Sequence, residues 1–171
     1  MRFKPLLFLA CVAGLVAYIL ISGVGTTPLI REGNRAPWFT VRNLEGEEVS
    51  LADLKGRVVF LNFWRTDCPP CAAEMPDLDL VARKFSGQKF EMMVVSLDFD
   101  AEDVSRFYRA RNLAMPAFFD PHQKVSSKFN VTGTPETFVI DSEGTVAKYY
   151  IGRQRWTSPK MLAMLEEMIP N

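Results

Sequence analysis

Histidine is almost missing: the 171-residue chain has one, His122, together with only three cysteines, Cys11, Cys68 and Cys71. A structural zinc site takes about four such ligands. With Cys11 inside an apolar segment, the rest of the chain offers three, so zinc is not expected. An excess of charge is missing too, since 20 Lys and Arg stand against 20 Asp and Glu. No basic run interleaves with aromatics, and nothing is laid out for a phosphate backbone, which excludes nucleic acid as a partner. The 11 prolines and 10 glycines are too few and too scattered for a low-complexity linker protein. No self-similarity occurs at solenoid or propeller periods. What is there, 48% hydrophobic and 23% charged residues, is the profile of one globular domain.

A long uncharged run occurs once, the nineteen residues from Leu6 to Val24. As a helix rising about 1.5 Å per residue, it nearly spans a bilayer core of roughly 30 Å. Arg2 and Lys4 precede it with no acid between them, which holds the N-terminus in the cytoplasm and the remainder outside. Residues 1–25 are therefore expected to form a membrane anchor. The alternative is a cleaved signal, for which Gly23 and Gly25 supply small residues. Residues 26–35, with Pro28 and Gly33, are expected to be a linker, and 36–171 the domain.

Within the domain, Trp38–Val41 and Glu48-Val49 flank a turn at Asn43–Gly46 and predict a hairpin. Ser50 is placed to cap a helical turn over Leu51–Leu54, which Gly56 stops. Val58–Trp64 is an apolar run of strand length, expected at the centre of a parallel sheet. Residues 72–85 predict a helix kinked at Pro76. Phe90–Leu97, Ala101–Asn112, Ala117–Phe119 and Lys124–Phe129 continue as strand, helix, strand, helix. Thr137–Asp141 and Thr145–Ile151 predict a second hairpin, and Ser158-Pro159 starts a closing helix as N-cap and first-turn proline. The expected fold is α/β, a mixed central sheet flanked by helices.

The chemistry lies in Cys68-Pro69-Pro70-Cys71, directly after the central strand and at a helix start. As a structural staple, a four-residue loop stabilises by only roughly 2 kcal/mol. As a reactive dithiol the position makes more sense. A helix N-terminus stabilises thiolate, and lowers a cysteine from about 8.5 to ~3.5–7.5 in such motifs. Cys68, nearest the helix entry, is the expected attacker, and Cys71, one turn on, resolves the mixed disulfide. Pro69 and Pro70 lack N–H groups but restrict the turn. No cofactor is expected beyond a redox-active Cys68–Cys71 disulfide.

The stretch Val59–Pro76, with its CPPC, resembles the active-site signature of the thioredoxin superfamily, and more narrowly its membrane-tethered TlpA/ResA-like branch. Val49–Gly56 resembles the segment preceding the central strand in that branch, and Val131–Asp141 the segment carrying the family's cis-proline. The resemblance covers about Asn34 to Asn171. It implies a thioredoxin-like fold with an N-terminal hairpin and a central βα insertion. It also implies that Pro135 is cis and faces the dithiol, and that Thr134 offers backbone groups to a substrate chain. It further implies a thiol-disulfide oxidoreductase in the periplasm or otherwise outside the cytoplasmic membrane, with disulfide or dithiol proteins as substrates. By analogy it is a reductase, for example in cytochrome c maturation, fed by a membrane thiol-disulfide donor.

The departures from the pattern are expected to modulate the site. Asp67 replaces the tryptophan common before the first cysteine, and its charge should oppose thiolate formation at Cys68. Asn62 stands where thioredoxin has a buried Asp. Glu74, one turn past Cys71, is available for proton transfer, though a solvated helix-face carboxylate is the default. Glu136, beside the proline, is an unusual charge that would bias the site against acidic partners. Trp64 and Trp38 are expected in packing.

Two other functions compete. A thiol peroxidase would use Thr66 with Arg65 near Cys68, although strand alternation aims Arg65 elsewhere. A copper carrier would use Cys68, Cys71 and His122, although such relatives have one more residue between their cysteines, and His122 sits in a turn-like stretch. Met92, Met93, Met161, Met164 and Met168 fall at core positions.

Overall fold

The computed structural model describes residues 4–21 and 29–170. The apolar run is helical as α1, Lys4–Ile21. Residues 1–3 and 22–25 of the expected anchor and 26–28 of the expected linker lie outside the described residues. No helix among the described residues is long and apolar enough to cross a membrane. Residues 29–35 are tied to the domain: the Ile30 N–H donates to Asn130 Oδ1, the Gly33 N–H donates to the Val146 carbonyl, and Arg35 bridges to Thr145.

Seven strands form one sheet: β1 Thr40–Asn43, β2 Glu48–Ser50, β3 Val58–Trp64, β4 Phe90–Ser96, β5 Ala117–Phe119, β6 Glu136–Ile140 and β7 Val146–Ile151. Their order is β2-β1-β5-β4-β3-β6-β7. The pairs β3·β4 and β4·β5 are parallel, and the rest antiparallel. The expected hairpin extends one edge, and β5 with the short helix α4, Lys124–Lys128, forms the expected central βα unit.

Every residue of β3 is buried, as its unbroken apolar run requires of a strand covered on both faces. Alternation then sorts its side chains. Val58, Phe60 and Trp64 join the core under helices α2 (Pro69–Lys84), α3 (Ala101–Arg111) and α5 (Pro159–Met168). Val59, Leu61 and Phe63 join the opposite core, against α4 and the 3-10 turn Leu51–Leu54. Asn62 shares the even parity of the first set, and this places the one polar side chain of β3 against α2.

Two expectations are corrected, and one is met only in position. The dithiol helix begins at Pro69 rather than residue 72, because prolines are tolerated in the first helical turn, and it runs on through Pro76. Trp38 precedes the first strand and is 69% exposed, so it is not a packing residue. Trp64 is one, against Phe107 and Tyr108. Ser158 occupies the N-cap of α5 but makes no side-chain cap bond. Ser50, in contrast, accepts from the Ala52 N–H, and Asp53 accepts in return from the Ser50 N–H.

Candidate active site

The central strand β3 ends at Trp64, and the chain reverses over 65–67 into α2, so Cys68 is the helix N-cap. Pro69 and Pro70 remove the first two N–H groups of the helix. The first remaining donor, the Cys71 N–H, is directed at Cys68 Sγ, 3.3 Å away. Cys68 and Cys71 are joined in a disulfide. Cys71 is fully buried, whereas Cys68 is 8% exposed with Pro69 and Pro70 exposed beside it. An incoming sulfur therefore meets Cys68 first.

Facing the dithiol is the start of β6. The Thr134–Pro135 peptide is cis, and the Thr134 carbonyl oxygen lies 3.5 Å from Cys68 Sγ, positioned to accept from the thiol when the disulfide is reduced. The resemblance anticipated this juxtaposition.

Glu74 departs from its default. It lies on the inward side of α2, fully buried. Its Oε1 accepts from Asn62 Nδ2 at 3.0 Å and its Oε2 from the Gln154 N–H at 3.1 Å. Burial pushes its carboxyl up to about 7, although those two donors, a more remote Trp156 indole and the Arg153 charge favour ionisation. It is poised to exchange a proton near neutrality. Asn62 also donates to Thr137 Oγ1 at 2.9 Å, which links β3, α2 and β6.

Asp67 is paired rather than free. It is exposed and turned to Arg65, whose Nε donates at 2.9 Å. The hydrogen bond from Arg65, with its charge, holds the Asp67 carboxyl below its usual range. Its charge is compensated by Arg65. Glu136 is not a surface charge at all. Only 1% exposed, it accepts through Oε1 from the Thr132 N–H, the Thr132 hydroxyl and the Gly133 N–H, and through Oε2 from Tyr149 OH. It braces the two residues before Thr134. Burial, then the bond and charge of Glu136, push Tyr149 up to about 12.

Several residues in this framework escaped the sequence. Asp98, at the end of β4, is buried and accepts from the Thr66 N–H at 3.0 Å, the Thr66 hydroxyl at 2.7 Å and the Ser96 hydroxyl at 2.6 Å. A carboxylate closing an apolar strand beside a reactive loop was the available signal. Gln154 and Tyr149 carried none. The peroxidase set is not assembled: the Thr66 hydroxyl is spent on Asp98, and Arg65 on Asp67 and the Leu97 carbonyl. His122 is exposed, and no group of three metal-ligating side chains occurs among the described residues.

A redox dithiol at a strand-to-helix junction, opposite a cis-proline, has relatives. Residues 33–149 match the AhpC/TSA family model. The chain belongs to that family. It is 34% identical over 167 residues to the thiol-disulfide oxidoreductase ResA of Bacillus thuringiensis, which covers 96% of this chain and 94% of the relative. Against ResA of Bacillus subtilis the identity is 33%, covering 86% and 81%. A DsbE-type thiol:disulfide interchange protein from Chlorobium tepidum superposes with a TM-score of 0.70 at 29% identity, over 81% of this chain and 95% of that one. This AhpC/TSA member is thus a thioredoxin-like thiol-disulfide oxidoreductase whose pair is Cys68–Cys71.

Proposed function

We propose that the enzyme works as a reductase of protein disulfides outside the cytoplasmic membrane. In the reduced form, the Cys68 thiolate attacks one sulfur of a partner disulfide and expels the other as thiolate, leaving a mixed disulfide. Cys71, deprotonated by Glu74, then attacks Cys68 Sγ. The partner leaves as a dithiol, the enzyme as a disulfide, and two electrons with two protons have moved to the partner. The observation that carries this order is the accessible edge of Cys68 against the sealed Cys71, with a carboxyl of pKa about 7 one turn further on. Its test is dithiothreitol-driven reduction of insulin by the full chain. Turnover with wild type and none with Cys68→Ser supports it, and equal rates overturn it.

The uncharged run Leu6–Val24 behind Arg2 and Lys4 supports a tether with the catalytic domain outside. A reporter fused after Asn171 that is active only in the cytoplasm would reject this topology, and carbonate extraction separates an anchor from a cleaved signal. Cytochrome c maturation is the proposed setting, with a membrane thiol-disulfide carrier as electron donor. An oxidised peptide bearing a C-x-x-C-H haem-attachment motif is then a substrate. A potential of the Cys68/Cys71 couple too oxidising to reduce it would reverse the assigned direction.

A further inference from the structure

From the last residue of β7 onward, exposure alternates. Ile151, Arg153 and Arg155 face solvent, while Gly152, Gln154 and Trp156 are partly or wholly covered. The covered set fixes where this strip lies. The Gly152 N–H donates to the Pro135 carbonyl at 2.8 Å, and the Gln154 N–H to Glu74. The strip is therefore strung between the cis-proline loop and the dithiol helix. Its outward side chains are one apolar group, 65% exposed, followed by two cations. Neither guanidinium is in a salt bridge among the described residues, and Arg153 acts on Glu74 through charge alone.

We propose that this strip is a docking surface for an extended segment of the partner protein that carries acidic side chains beside its reacting cysteine. The inference rests on the dithiol as the reaction site and adds the chemistry of what it recognises. Two groups that would oppose an acidic segment are removed by the fold: Glu136 is turned inward, and the Asp67 charge is compensated by Arg65. Charge complementarity of this kind selects partners and speeds their encounter more than it adds affinity. An extended segment presents alternate side chains on one side, matching the alternation of the strip.

The test uses the full chain in detergent micelles with three disulfide-bonded peptides that differ only in flanking residues, Asp, Asn or Lys. The readout is the ratio of kcat/KM for the Asp peptide to that for the Asn peptide, in which any effect of Arg153 on the dithiol chemistry cancels. Wild type should favour the Asp peptide by about fivefold at low salt and disfavour the Lys peptide. The preference should fade at about 0.5 M salt. Arg153→Ser with Arg155→Ser should bring the ratio to unity. A wild-type ratio of one, a salt-independent preference, or a preference that survives in the double variant overturns the docking proposal while leaving the oxidoreductase intact. Failure to reduce any peptide would instead strike the dithiol reading itself, and this proposal with it.

Discussion

Asn62 Nδ2 donates to Glu74 Oε1 at 3.0 Å, tying the central strand to the dithiol helix at a point withdrawn from solvent. The bond keeps a carboxyl beneath the active site without neutralising it, because its other partner is a backbone N–H rather than a cation. Burial then dominates, and Glu74 titrates near 7 rather than at its ordinary 4.5.

That displacement makes stability depend on pH. A carboxyl raised in the folded state contributes stability fully below about 4.5, and loses it as the pH rises through about 7. At 1.36 kcal/mol per pH unit the gap amounts to roughly 3 kcal/mol. Denaturant melts of wild type should weaken between pH 5 and 8 by an amount of this order, and those of Glu74→Gln should stay nearly flat. Parallel curves would remove Glu74 as their source.

In catalysis, the same substitution should slow resolution of a mixed disulfide by roughly a hundredfold, the low end of general acid–base contributions. It should also erase a rate midpoint near pH 7. Stopped-flow release of partner thiol reads both, and an unchanged pH profile in Glu74→Gln would separate the carboxyl from proton transfer.

Pro70 withholds an N–H from the helix start, where only the Cys71 N–H reaches Cys68 Sγ. Pro70→Ala should supply a second donor, lower the Cys68 pKa by roughly one unit, and make the couple more oxidising because its reduced form is stabilised. Thiolate absorbance against pH measures the shift, and a raised pKa would contradict it.

Asp67→Asn leaves the Arg65 cation uncompensated and should lower the Cys68 pKa slightly, the effect being small because the pair is exposed to solvent. Arg65→Ala exposes the uncompensated carboxylate and should raise the Cys68 pKa. Equal titrations of all three proteins would show that this ion pair does not reach the thiol.

Glu136→Ala leaves the Thr132 and Gly133 N–H groups without their acceptor, and should cost about 1–3 kcal/mol of stability. It should also bring Tyr149 down from about 12. Tyrosinate absorbance follows the second effect independently of folding free energy.

Much of the fold was legible because it is written locally. The unbroken apolar run of β3 announces a strand covered on both faces, and the cysteines mark its end. Pro69-Pro70, however, reads equally as a turn or as a first helical turn, and only the helix that follows decides. The carboxylates were the least legible part. Whether Glu74 or Glu136 faces water depends on donors far along the chain, the Gln154 N–H for one and Tyr149 OH for the other. Nothing near either residue in sequence signals those partners. Trp38 failed in the opposite direction, since its aromatic side chain suggested core where the chain has not yet entered the sheet.

The central claim is that Cys68 meets the partner and Cys71 resolves it. Incubating Cys71→Ser and Cys68→Ser separately with an oxidised protein substrate, and mapping the trapped adducts by mass spectrometry, tests it directly. The account predicts a stable mixed disulfide through Cys68 in the Cys71→Ser protein and little or none in the other. Efficient adduct formation through Cys71 in the Cys68→Ser protein would contradict it.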